Sequence, residues 1–298
     1  MALNYNIETE IAGIKMQNPV MVASGTFGYG EEYSKLIDIK KLGGIITKTV
    51  TLNPKTGNPP PRICETPSGM LNSIGLQNDG LKIFIEKHLG HITKFSIPII
   101  INIAGESPEE FSQIAKTLSK ESCVKGFELN VSCPNVKKGG MQFGCSVSGI
   151  EEIVKSVKKA TDLPVIVKLS PNVTDIAQMA LTAEKSGADA VSLINTVLGM
   201  AVDTKCKKFK ISTKTGGLSG PAIKPIAVRM VWQVAQIVKI PIIGIGGIMT
   251  AEDALEFFMV GAKAVQVGTA NFVDVESSVK IADDLKNYDL KSLIGCLK

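Results

Sequence analysis

Eight short apolar runs, each followed by an amphipathic stretch, predict an α/β chain folded as a (β/α)8 TIM barrel, with an N-terminal hairpin and long βα loops on the catalytic face. The runs are continuous in Val, Ile and Leu instead of alternating with polar residues, as parallel strands buried on both faces require. The intervening stretches carry helix-start and helix-stop chemistry. The 298 residues also leave spare length beyond the roughly 250 that such a barrel needs.

In chain order, IETEIAGIKMQNP from Ile7 reads as a hairpin across the barrel bottom. The strand runs are PVMVAS from Pro19, GIITKT from Gly44, PIIINIAG from Pro98, GFELNVS from Gly126, PVIVKLS from Pro164, DAVSLIN from Asp189, PIIGIGG from Pro241 and AVQVGT from Ala264. Helices are expected in SPEEFSQIAKTLSK from Ser107, SGIEEIVKSVKKATD from Ser148, NVTDIAQMALTAEKSGAD from Asn172 and MTAEDALEFFMVGAK from Met249. Several open with Ser, Thr or Asn and an acidic residue three positions on, the pattern of a capped N-terminus. Two end in Gly-Ala, a C-cap signal. Asn53 to Gly80 and Leu198 to Pro221 are expected to be long βα loops, and residues 1–298 read as one domain without linker or low-complexity segment.

Composition narrows the function. Hydrophobic residues make up 44% and charged residues 20%, enough apolar content for a full core. The net charge of +5 comes from Lys interspersed with Glu and Asp, which suits anionic small molecules better than nucleic acid. Six cysteines stand singly with no CxxC spacing, which argues against a zinc or iron–sulfur site in this chain. MALNYNIETEIAG has no signal-peptide pattern and no apolar run reaches the ~18–20 residues of a membrane span. Free thiols in a reducing cytoplasm are the expectation.

Active sites of such barrels lie at the C-terminal strand ends. There the sequence places Ser24, Lys48, Thr49, Asn102, Asn130, Cys133, Asn135, Lys168, Asn195, Thr196, Gly246, Gly247, Gly268 and Thr269. Burying two lysines and several amides at one mouth is costly without a ligand. The bare backbone of GIGGI, with Thr250 as N-cap of the next helix, and VGTA after the last strand have the make-up of a barrel phosphate site.

Single residues leave alternatives open. Lys168 suits either a Schiff-base amine, if desolvated, or a fixed cation beside a cofactor that becomes anionic. Cys133 suits either a small buried hydrophobe or a base, since it lies just past Asn130 at the catalytic end, followed by a Gly139-Gly140 loop. Cys64, Cys123, Cys145, Cys206 and Cys296 read as structural, and His88 and His91 lie away from any strand end. The Lys-rich TKCKKFKISTK from Thr204 suits either a partner-docking segment or, the favoured reading, a solvated loop.

Taken together, ASGTFGYG at Ala23, LNSIGLQN at Leu71, ELNVSCPN at Glu128, VIVKLSPN at Val165, INT at Ile194, GGLSGPAIKP at Gly216 and GIGGI at Gly244 resemble the dihydroorotate dehydrogenase family, in order and over nearly the whole chain. Cys133, where the membrane-bound class has Ser, and the absence of an N-terminal membrane helix resemble the soluble class. CPNVKKGGMQFG is similar to class 1B, the NAD-linked type.

The resemblance implies one FMN per chain, contacted by Ser24, Lys48, Thr49, Asn102, Asn130, Lys168 and Ile194, with backbone at Gly220, Gly246, Gly247, Gly268 and Thr269. It implies that Lys48, Asn72, Ser73, Ile74, Gly75, Leu76, Asn130, Asn135, Asn195 and Thr196 hold dihydroorotate. Asn side chains, which both donate and accept, suit the alternating N–H and C=O edge of that ring. Cys133 would be the base at C5, with hydride passing from C6 to FMN and Lys168 steadying the reduced cofactor, as a step of pyrimidine (UMP) synthesis. Class 1B further implies a partner subunit carrying FAD and a 2Fe-2S cluster, in a heterotetramer of two catalytic and two electron-transfer subunits that reduces NAD+. The alternatives are a class 1A-like fumarate-dependent enzyme and a Lys168 Schiff-base aldolase or lyase.

Overall fold

The computed structural model describes residues 4–132, 134–135, 141–142, 144 and 146–298, with only the backbone considered at 134, 135, 141 and 142. Eight parallel strands close into a barrel: β1 (Val20–Val22), β2 (Gly44–Ile46), β3 (Ile99–Ile103), β4 (Val124–Asn130), β5 (Val165–Leu169), β6 (Ala190–Leu193), β7 (Ile242–Ile245) and β8 (Ala264–Val267). Each pairs with its sequence neighbours, and β8 pairs with β1 to seal the cylinder. Every strand expected from the apolar runs is present.

The unbroken runs conceal a period of two. Val20, Val22, Ile45, Ile99, Ile101, Val165, Val167 and Ile242 pack outward against the helices. Met21, Ile46, Ile100, Ile166, Ala190, Ile243 and Ala264 form a separate cluster with Ile11, Ile14 and Met16. That second cluster is the barrel's lower interior, and the expected hairpin (Thr9–Ile11 paired with Ile14–Met16) closes it from below. Successive side chains on a strand point to opposite faces. The inward positions two residues further along are therefore Asn102, Glu128, Lys168, Ser192 and Gln266, where the interior turns polar.

The outer helices follow their caps. Ser107 accepts from the N–H of Glu110 and opens Pro108–Leu118. Thr250 and Asp253 form a complete capping box on Ala251–Met259. Two starts differ from the expected ones. The helix Val147–Lys158 is capped by Ser146, ahead of Ser148. Ile176–Lys185 is capped by Asp175, whose carboxylate accepts from two successive N–H groups. Gly187 and Gly261, at φ +100° and +114°, reverse the chain after their helices, as the Gly-Ala signals indicate. Among the described residues, no helix is long and apolar enough to cross a membrane.

The long segments above the barrel differ from the expected loops. Strands Ile63–Thr66 and Gly69–Asn72 come from the first, and Thr215–Ser219 from the second. With Val197–Met200 they build a four-stranded antiparallel sheet. These strands are short and rich in glycine and polar residues, and although Ile63–Thr66 and Gly69–Asn72 form a local hairpin, its pairing with Thr215–Ser219 is non-local, so no periodicity announces the sheet. Thr204–Lys210 is exposed and carries a two-residue strand, Lys208–Phe209, paired with Val202–Asp203.

The hairpin's role yields a quantitative expectation. Ile11 is 1% exposed, and removing its side chain leaves a cavity that costs about 2–5 kcal/mol. Ile11→Ala should lower the urea midpoint accordingly; an unchanged midpoint would mean that the hairpin does not plug the barrel.

Candidate active site

The polar layer at the barrel's upper half is built around a carboxylate absent from the expected site residues. Glu128 on β4 is fully buried. Its Oε1 accepts from Asn102 Nδ2 on β3 at 2.7 Å. Its Oε2 accepts from Ser192 Oγ on β6 at 2.8 Å and from Gln266 Nε2 on β8 at 2.6 Å. Lys168 Nζ on β5 lies 3.8 Å from Oε1 and donates to Ser24 Oγ, after β1, at 3.3 Å. Lys168 is itself 6% exposed. Thr49, past the end of β2, donates to Asn102 Oδ1 at 2.6 Å, and Thr47 Oγ1 accepts from the Asn102 N–H at 3.2 Å. Side chains from seven strands or their immediate extensions thus converge on one buried pair of opposite charges, and β7 alone contributes none.

The sequence carried a signal for these residues. Glu128, Ser192 and Gln266 are polar interruptions in apolar runs, each at the same alternate position as Asn102 or Lys168 on its own strand. The registers set Asn102 beside Glu128 and Lys168 beside Ser192, while Lys168 also lies beside Asn130, so the tilted strands bring the polar residues together by their side chains and not by one common register.

The layer above is more open. Asn130 is buried at the end of β4, and its Oδ1 accepts from the Ser132 N–H at 3.3 Å and from Asn195 Nδ2 at 3.5 Å. Asn195 also donates to Ser132 Oγ at 2.9 Å, and its own Oδ1 accepts from the Thr196 N–H at 2.8 Å. Ile194, buried, donates its N–H to Ile245 O. Lys48 is half-buried, its N–H bonded to Gly28 O, and its ammonium makes no ion pair among the described residues. The expected residues Cys133 and, for its side chain, Asn135 lie outside the described residues.

Asn72 ends a strand of the upper sheet and donates to Gly217 O at 3.4 Å. After it, Ser73 accepts from Thr213 Oγ1, and the Asn58 N–H donates to Ile74 O. Gly75 and Leu76 both adopt positive φ, +75° and +56°. A Cβ on Gly75 would stand 2.7 Å from Asn58 N, so the turn has room for glycine only. The loop Asn72–Leu76 is therefore held to Asn58 and to the segment around Thr213, and hangs from the same sheet that borders Thr196.

A third group forms a backbone cradle. Gly220, Gly246 and Gly247 adopt φ of +92°, +131° and +73°. A Cβ on Gly247 would lie 2.8 Å from Gly220 O and 2.9 Å from Lys224 N, so the two turns touch. Gly268 and Thr269 follow β8, and Thr269 Oγ1 donates to Ser219 Oγ at 2.8 Å. Thr250 caps the adjoining helix as expected, and Asp253 takes the N–H groups of Met249 and Thr250, so part of this helix start is satisfied internally.

His88 bridges Glu31 and Asp79 at 3.0 and 3.3 Å, and its ring lies tilted against Tyr29.

A barrel that is apolar below, charged above and lined by glycine turns at one side of its mouth defines an enzyme that works at its strand C-termini. The chain belongs to the dihydroorotate dehydrogenase family, whose model matches residues 6–288. It is 53% identical to a protein of Geotalea uraniireducens named dihydroorotate dehydrogenase B (NAD(+)), catalytic subunit, over 98% of both chains. Proteins of the same name from Thermoanaerobacter pseudethanolicus and Bacteroides thetaiotaomicron are 54% and 51% identical, each over 98% of this chain and 99% of the relative. Among solved structures, a DHODH of Eimeria tenella in complex with ferulenol aligns with TM-score 0.80 at 22% identity, over 97% of this chain and 88% of that one, a likeness of fold.

Beside the cradle, burial pushes the Asp253 carboxyl up, but the Lys224 ammonium and the N–H groups of Met249 and Thr250 outweigh it and hold it below the usual carboxylate range. A depressed folded value contributes stability above the unfolded value that is lost as pH falls through the folded one. Asp253→Asn should therefore be less stable than the parent at pH 7, with the gap closing as pH falls below about 4. Equal urea midpoints at pH 7 would contradict this.

Proposed function

We propose that the chain is the FMN-binding catalytic subunit of an NAD-linked dihydroorotate dehydrogenase, oxidising dihydroorotate to orotate in pyrimidine (UMP) synthesis. The observation that most supports this is the single polar network that joins Lys168, Ser24 and Asn102 at the C-terminal ends of the strands, in a barrel whose β7 and β8 also end in glycine turns. The residues fit the cofactor. The Gly246-Gly247 and Gly220 turns adopt positive φ and pack so closely on neighbouring protein atoms that only glycine can build them, and backbone N–H groups in such turns suit a phosphate. Asn102 has one amide hydrogen and one lone pair left after its bonds to Glu128 and Thr49. Lys168 brings a cation held from two sides.

In this reading Ser24, Lys48, Thr49, Asn102, Asn130, Lys168 and Ile194 hold FMN, with backbone from Gly220, Gly246, Gly247, Gly268 and Thr269. FMN, when bound, supplies the acceptor for the hydride that leaves C6 of the substrate. Lys48, the loop Asn72–Leu76, Asn130, Asn135, Asn195 and Thr196 bind dihydroorotate, the Lys48 ammonium serving its carboxylate. Asn130 and Asn195, already bonded to each other, present a pre-set pair of amides to the ring edge. Cys133 takes the proton from C5 as general base, and its loop closes over the substrate to exclude water.

The relatives' names as NAD(+) catalytic subunits support a partner subunit and NAD+ as final acceptor; in this reading the partner carries FAD and a 2Fe-2S cluster, two copies of each subunit assemble, and the complex works in the cytoplasm. A Schiff-base role for Lys168 is disfavoured, because that chemistry needs a desolvated, unpaired amine and Lys168 is paired with Glu128.

The purified protein should be yellow and bleach on addition of dihydroorotate; a colourless protein trapped by borohydride with an aldehyde would overturn the assignment. Cys133→Ala should lower the rate of that bleaching by about 10²–10⁴-fold, the usual contribution of a general base, and Cys133→Ser should retain weak activity. Bleaching at the parent rate would refute the base. Alone, the subunit should reduce NAD+ poorly; full-rate NAD+ reduction without a partner, or efficient turnover with fumarate, would reject the partner assignment.

A further inference from the structure

We infer that Glu128 is a positioning residue that sets the reduction potential of the flavin by fixing Lys168 and offsetting its charge, an inference that rests on the FMN-site reading above. Glu128 is too deep to be a binding residue in its own right: it is fully buried and its oxygens are taken by groups of the protein. The donor set is that of an ionised carboxylate, with two amide N–H groups, a hydroxyl and an ammonium directed at two oxygens.

The cost of this arrangement is visible next to it. Gln266 donates to Glu128, and its Oε1 is left buried with no partner among the described residues. Leaving such an acceptor without a hydrogen bond is destabilising. A barrel interior filled by Leu or Met would avoid both that penalty and the desolvation of two charges. The pair is therefore retained for what it does to its upper neighbours.

Two effects follow from the geometry. Asn102 is oriented at both ends of its amide, by Glu128 below and Thr49 beside it, so the hydrogen-bonding face it turns upward is fixed. Lys168 Nζ lies between Ser24 Oγ and Glu128 Oε1, so its position is fixed and its charge is partly compensated from below. A cofactor whose reduced form is anionic is stabilised by the uncompensated part of that charge. In a water-poor interior such interactions act over several ångströms with little screening.

The test is Glu128→Gln, which keeps shape and removes the charge. The flavin midpoint potential, measured by dye-coupled photoreduction, should move positive, by a tenfold change in the two-electron equilibrium, about 30 mV. Glu128→Asp, which restores the charge, should bring the potential back toward the parent. A residue that serves only packing would lower stability or FMN content and leave the potential of the retained flavin unchanged, and that result overturns the inference. If Glu128→Gln does not fold, Ser192→Ala is the second probe. It keeps both charges and removes one of the two donors to Oε2, so the carboxylate charge beside Lys168 is less offset and the potential should move negative; an unchanged value overturns the inference. A parent protein without flavin would instead refute the FMN-site reading itself.

Discussion

The arrangement depends on a closed parallel barrel whose side chains alternate between two interiors. Once eight strands seal, every second residue is committed to a space with no exit except the two ends. The lower part of that space is filled by Met21, Ile46, Ile100, Ile166 and Ile243 and stoppered by the hairpin. The next inward level is filled by Asn102, Glu128, Lys168, Ser192 and Gln266, which must satisfy one another because water does not reach them. The change from apolar to polar occurs in a single two-residue step along the strands. That sharp boundary places the charged layer at the mouth without any special backbone device.

The two levels answer to different pressures. The lower one is a packing problem, solved by volume, and tolerates conservative exchange. The upper one is a hydrogen-bond network, in which removal of one partner leaves another group stranded. Lys168 and Glu128 add little to stability, since two charges are desolvated to form the pair. Their value lies in orientation, which is why the residues that hold them come from so many strands.

The strands were legible in the sequence because continuous Val/Ile runs bounded by Pro and Gly have few other uses in a chain of this size. Lys168, Asn102, Asn130 and the glycine turns were legible because they stand where such runs end. Glu128, Ser192 and Gln266 were harder, since each lies inside its run and a single polar residue there has no local meaning. Their significance appears only when strands are laid side by side and the residues share a level. The helix starts at Ser146 and Asp175 were displaced from the sequence reading because several Ser, Thr and Asp residues compete within a few positions, and backbone geometry selects among them. The upper sheet was illegible for a different reason. Its pairing joins segments with no local periodicity, and only the completed barrel brings them together.

That sheet has a consequence for how the protein assembles. Asn72 pairs with Gly217, Leu71 with Leu218 and Met70 with Ser219, across 145 residues between the first of these partners. Contacts so distant in sequence form only after the intervening chain has been ordered, because closing so long a loop is entropically opposed until other structure has shortened it. The segment that carries Asn72–Leu76 is thus among the last to take its place. During synthesis the barrel's first six strands emerge before the chain that registers this loop exists. The mouth of the enzyme is a late product of folding, completed only after the sixth strand and the segment that follows it have been made.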